Sequence, residues 1–65
     1  MTETIRLSST ALASATYDED TRRLDITFTS GGTFTYENVP PDVFEGLREA
    51  RSPGTFYHER IKGQF

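Results

Sequence analysis

Arg48, Arg51, Arg60 and Lys62 bracket the turn Ser52-Pro53-Gly54-Thr55, a combination suited to holding phosphate. A helix start offers unpaired backbone N–H groups and the positive end of a dipole, and glycine lets an anion approach the chain. Arginine grips phosphate with two parallel hydrogen bonds, and lysine acts as a point charge. The competing reading is that Ser52 only caps its own helix while the cations are solvated. The chain is acidic, with a net charge of −3, which argues against wholesale binding of a nucleic-acid backbone. The charge is uneven, however. Residues 1–47 carry three basic groups against eight acids, −5, and residues 48–65 carry four against two, +2.

Aromatic rings offer a second kind of chemistry. Phe34 and Tyr36 alternate on one face of a strand, and Tyr57 follows in the basic segment. On an open sheet face such rings would stack unpaired bases, each contributing about 1–3 kcal/mol. Turned inward they would pack under Phe44 and Leu47, which a chain poor in large aliphatic residues favours. Other chemistry is thin. His58 is the single histidine and there is no cysteine, so no zinc-ligand spacing exists. Ser52 or Thr55 with His58 along one turn-helix is a poor scaffold for a nucleophile and its base, and no catalytic residue is assigned. Asp18-Glu19-Asp20 begins like a calcium loop but lacks the later ligands and the closing glutamate, so it reads as a solvated turn. Neither a metal nor a cofactor is expected.

The elements that must position these groups follow from periodicity and turn chemistry. Residues 1–4 are polar and residues 1–5 read as a disordered tail, with Ile5-Arg6-Leu7 at the start of an edge segment. Thr10 to Tyr17 reads as a strand with Leu12, Ser14 and Thr16 on one face and Ala11, Ala13, Ala15 and Tyr17 on the other. Leu24, Ile26 and Phe28 alternate as a half-buried antiparallel strand requires. Ser30-Gly31-Gly32 supplies the positive backbone angles of a tight hairpin into Thr33–Glu37. Pro40-Pro41 ends the sheet and opens a helix, with Asp42 at its positive end. Val43, Phe44, Leu47 and Ala50 make its apolar stripe. Gly46 costs this helix about 1 kcal/mol relative to alanine, and close approach to the sheet is one reason to keep it. Ser52 and Pro53 start a second helical segment, where Phe56, Tyr57 and Ile61 are the apolar contacts. The prediction is an α+β domain over residues 6–65: a three-stranded antiparallel β-meander packed by one α-helix and a short C-terminal helical segment.

Sixty-five residues make a single small domain. The lack of cysteine rules out disulfide staples and suits a reducing compartment. No apolar run approaches the ~18 residues of a membrane span, and Met1-Thr2-Glu3-Thr4 lacks the features of a signal peptide. The expected setting is cytoplasmic.

Taken in order, these residues resemble the KTSC domain family. The matching elements are Ser8-Ser9, Tyr17-Asp18, Leu24-x-Ile26-x-Phe28, Gly31-Gly32, Phe34-x-Tyr36 and Val39-Pro40. They continue with Val43-Phe44-x-Gly46-Leu47, Ala50-x-Ser52-x-Gly54, Phe56-Tyr57 and Ile61-Lys62. The family occurs as small bacterial and phage proteins and at the C-terminus of some lysyl-tRNA synthetases. Its central motif is Tyr-x-Tyr, so Phe34 keeps a ring and loses a hydroxyl; His58 stands where the family often has asparagine. The resemblance implies RNA binding. The leading expectation is therefore a non-enzymatic module, monomer or weak dimer, that binds RNA, single-stranded nucleic acid or another phosphate-bearing ligand. Arg48, Arg51, Ser52, Gly54, Thr55, Arg60 and Lys62 would form the site, with Phe34, Tyr36 and Tyr57 as stacking rings. The alternative is a phage-encoded factor that contacts a host protein through an edge strand or the apolar rim of its helix.

Overall fold

Strand alternation dominates the first half of the chain, and the computed structural model, which describes residues 1–65, turns it into a four-stranded sheet. The strands are β1 (Thr2–Arg6), β2 (Leu12–Asp18), β3 (Arg23–Phe28) and β4 (Thr33–Tyr36). They lie in the order β1-β2-β3-β4, each antiparallel to its neighbour. Two helices follow, α1 (Pro41–Glu49) and α2 (Pro53–Arg60). The α+β meander is as expected, but the sheet has four strands rather than three.

The additional strand is the segment read as a disordered tail. β1 pairs with β2 from Thr2↔Asp18 to Arg6↔Ser14, although only Ile5 on it is even partly buried. Its stability comes from pairing: the main-chain ladder, a Thr4–Thr16 hydroxyl contact of 2.9 Å, and an ion pair between Glu3 and Arg48 of α1. Little in its composition announces a strand, because tertiary pairing outweighs intrinsic preference in sheets.

β2 departs from simple alternation. Its register shifts between Leu12 and Ser14, a bulge that moves one residue out of phase. Leu12 therefore faces the core together with Ala15 and Tyr17, although strict alternation puts Leu12 on the opposite face. The β3–β4 connection is a three-residue loop, Thr29-Ser30-Gly31. The Gly31 N–H donates to the Phe28 carbonyl (2.9 Å) and the Phe28 N–H to the Gly32 carbonyl (2.8 Å). Of the two adjacent glycines only Gly31 has positive φ, +108°, the position where this loop class needs glycine.

Val39 joins sheet to helix. Its N–H donates to the Arg22 carbonyl at 2.9 Å, and its carbonyl accepts the Tyr17 hydroxyl at 2.6 Å. Arg22 and Asn38 both adopt φ of 59° to make this crossing. α1 then starts at Pro41 with Asp42 in its first turn and buries Phe44 and Leu47. Tyr17 and Phe44 stack with centroids 5.0 Å apart. Leu12, Leu24, Ile26, Val39, Leu47 and Ile61 are the largest fully buried side chains, so both helices close one face of the sheet. Gly46 is indeed a point of close approach, but to the other helix. A Cβ there would meet the Phe56 ring of α2 at 2.7 Å.

Candidate functional site

α2 forms where its start signals place it. Ser52 is the N-cap, in extended conformation (φ −125°, ψ 93°), and Pro53 occupies the first turn without needing a donor. The Ser52 hydroxyl oxygen accepts the Thr55 N–H at 3.4 Å and donates to Thr55 Oγ1 at 3.0 Å. The Phe56 N–H goes to the Ser52 carbonyl at 3.0 Å. Gly54 is thus left with the one unpartnered N–H of the first turn. The β1–β2 loop comes close here, since a Cβ on Gly54 would lie 3.5 Å from Ser9 Oγ. That oxygen already accepts the Ala11 and Leu12 N–H groups at 3.1 and 3.3 Å.

The four cations do not share one environment. Arg48 pairs with Glu3 across to β1 and with Glu45 at 3.4 Å, and lies 5.3 Å over the Phe44 ring. Its hydrogen bond to Glu3 raises its pKa further, so the charge is permanent but already neutralised. Arg51, Arg60 and Lys62 are exposed and have no carboxylate within ion-pair distance. The Arg60 guanidinium lies 5.8 Å over the Phe56 ring. Arg51 precedes the N-cap and Lys62 follows the C-cap Ile61. The eight residues between the caps rise about 12 Å. The free cations therefore sit at both ends of α2 rather than around its first turn.

The aromatic residues are on the helix-covered face. β4 pairs Phe34 with Ile26 and Tyr36 with Leu24, so both rings share a face with buried core residues. Tyr36 packs against the core cluster that holds Phe44 and Leu47, together with Phe28 and Tyr57. Phe28 meets Phe34 and Tyr57 edge-on, with centroids 5.4 and 5.3 Å apart. The Tyr36 and Tyr57 hydroxyls are 2.5 Å apart. Burial, then this hydrogen bond, pushes the Tyr36 pKa up to about 12. Tyr36 and Tyr57 are therefore occupied by each other, whereas Phe34, on the edge strand, stays 58% exposed. The opposite sheet face is hydroxyl-rich: Thr27 and Thr33 meet at 3.2 Å, and Asp25 accepts from Thr35 at 2.7 Å and Arg23 at 3.2 Å. No ring stands there to stack a base.

His58 is exposed on α2, and no group of His, Cys, Asp or Glu is disposed to hold a metal ion. The two surface depressions, about 230 and 210 Å³, are lined by Met1 and residues of β1, β2, β3 and the β2–β3 turn, well apart in sequence from the basic segment. Sequence reading missed two contacts that shape the basic surface. Glu3 removes Arg48 from it, and Phe56, wedged against Gly46, carries Arg60. Thr2-Glu3-Thr4-Ile5-Arg6 carries no apolar pattern that would have signalled the first.

With this arrangement in view, the relatives are informative. A family profile for the KTSC domain matches residues 8–65. The chain belongs to the KTSC domain family. A crystal structure of a KTSC domain protein from Yersinia pestis superimposes with a TM-score of 0.93 at 35% identity, covering 100% of this chain and 92% of that one. An uncharacterized protein of Stutzerimonas stutzeri is 38% identical over 60 residues, 92% of this chain and 84% of that protein. A lysine–tRNA ligase of Nostoc punctiforme is 43% identical over 49 residues, which are 75% of this chain and 9% of the ligase. The KTSC fold thus stands both as a small protein and as a minor part of a large ligase. No helix of this domain is long and apolar enough to cross a membrane.

Proposed function

We propose that this KTSC domain is a non-enzymatic binding module for a phosphate-bearing partner, RNA foremost, engaged through α2 and the residues flanking it. The observation that carries the reading is the contrast among the cations. Arg48 is neutralised by Glu3 and Glu45, whereas Arg51, Arg60 and Lys62 are exposed without carboxylate partners in a chain with more acids than bases. Placed along about 12 Å of helix, they suit successive phosphates of an extended strand better than one bound anion. The Gly54 N–H adds one main-chain donor. Relatives named lysine–tRNA ligases support RNA among phosphate-bearing partners.

The test is titration with single-stranded RNA over a range of salt concentrations. Arg51→Ala with Lys62→Ala should weaken binding and reduce the slope of log K against log[salt] by about 1.4, or 0.7 per lost contact on a single strand. Arg48→Ala should leave that slope unchanged, because its charge is spent within the fold. Equal affinity and slope for the double variant and the wild type would reject the reading.

A further inference from the structure

We propose that β4 is a self-association edge, along which two copies of this chain pair antiparallel about a two-fold axis through Phe34. The phase of the β3–β4 ladder decides what β4 presents outward. Phe28 and Gly32 form a hydrogen-bonded pair (2.8 Å), and such pairs alternate along an antiparallel ladder. In the observed register Ile26–Phe34 and Leu24–Tyr36 are then the bonded pairs. The N–H and C=O groups of Thr33 and Thr35 consequently point away from β3, and neither makes a main-chain bond elsewhere.

These four outward groups lie symmetrically about Phe34. A two-fold axis perpendicular to the sheet pairs Thr33 with Thr35 of the second copy and Phe34 with its own counterpart. All four groups on each copy are then satisfied. The two Phe34 rings, each 58% exposed in the single chain, meet at the closely spaced non-bonded position, where side chains approach most nearly. Gly32, which has no side chain, faces Tyr36 of the second copy, and Glu37 faces Gly31. The two Glu37 carboxylates are thereby kept apart.

Charge identifies the occupant as a second copy. The run Ile26–Tyr36 contains no charged residue, and β4 has neither the lysine nor the proline that edge strands often carry; its protection is its four-residue length and the glycine loop at its start. Two acidic chains of net charge −3 meet here without opposing like charges. The other edge, β1, presents Glu3 and Arg6. A four-residue edge is far smaller than a standard interface, so the dimer is weak, with a dissociation constant between about 10 µM and 1 mM.

Sedimentation equilibrium of the full chain across that range tests the proposal, together with amide exchange. The expected results are a reversible monomer–dimer equilibrium and slowing of Thr33 and Thr35 exchange as concentration rises, with β1 unchanged. Phe34→Lys should be monomeric throughout. Thr33→Pro, which deletes an outward N–H and the exposed hydroxyl contact with Thr27 but keeps the β3 ladder, should be monomeric with an unaltered circular dichroism spectrum. A wild-type chain that stays monomeric to about 1 mM overturns the proposal, as does a dimer that survives both substitutions or protects β1 instead.

Discussion

Gly46→Ala is the substitution whose outcome depends most directly on how the two helices meet. Alanine in a helix interior is favoured over glycine by about 1 kcal/mol, so a free helix would gain that much. Here the new methyl would sit 2.7 Å from Cζ and 2.9 Å from Cε2 of Phe56. The ring is the far end of a side chain and can yield in part, but α1 lies on one side and the Arg60 guanidinium at 5.8 Å crowds it. Overpacking of this kind costs about 1–3 kcal/mol. The net expectation is a loss of up to about 2 kcal/mol, against a total stability of about 3–10 kcal/mol for 65 residues. Urea unfolding, with midpoint and slope both fitted, measures it. The decisive comparison is the same substitution in a Phe56→Ala background, where the obstruction is gone and Gly46→Ala should stabilise by about 1 kcal/mol. An equal stabilising effect in both backgrounds would mean that Phe56 does not rest on Gly46, and the account of helix packing would fail.

Two further perturbations examine the polar contacts of the core. Tyr17→Phe keeps the ring on Phe44 but removes the donor to the buried Val39 carbonyl (2.6 Å), so stability should fall by about 1–3 kcal/mol; an unchanged urea midpoint would refute the contact. Raising the pH should destabilise the domain through Tyr36, whose folded pKa is pushed from 10.0 to about 12 by burial and by the hydrogen bond to Tyr57. Because the folded state prefers the neutral phenol, this contribution is complete below pH 10 and is lost as the pH climbs toward 12. Tyr57→Phe should bring the Tyr36 titration down, followed by NMR of the tyrosine rings. Wild-type Tyr36 ionising at its ordinary value would contradict the half-buried hydroxyl pair.

Much of the fold was legible because local signals and global packing agree. Leu24, Ile26 and Phe28 alternate as they are buried, Gly31 turns the hairpin, and the proline starts of α1 and α2 fall where Pro41 and Pro53 stand. β1 was not legible, since a strand held by its ladder and by Arg48 has no apolar pattern to display. Nor was the phase change in β2, because a bulge leaves no residue signature in Leu12-Ala13-Ser14. The basic segment was visible as composition, but its layout was not. Whether Arg48 remains free depends on Glu3, forty-five residues away in the chain, and the spread of Arg51 and Lys62 depends on where α2 begins and ends. The inward placement of Phe34 and Tyr36 followed from register, whereas the exposure of Phe34 followed from β4 being the last strand.

Val39 has a consequence for how this architecture tolerates change. Both polar groups of its peptide are fastened to partners upstream of β3: Tyr17 on β2 and Arg22 in the β2–β3 turn. The heading of α1 is therefore inherited from a bend two strands back, not from the strand that leads into it. Inserting or deleting a residue between Asp18 and Arg23 would displace the Arg22 anchor relative to Tyr17, whereas the same edit at Thr29-Ser30 would leave both anchors in place.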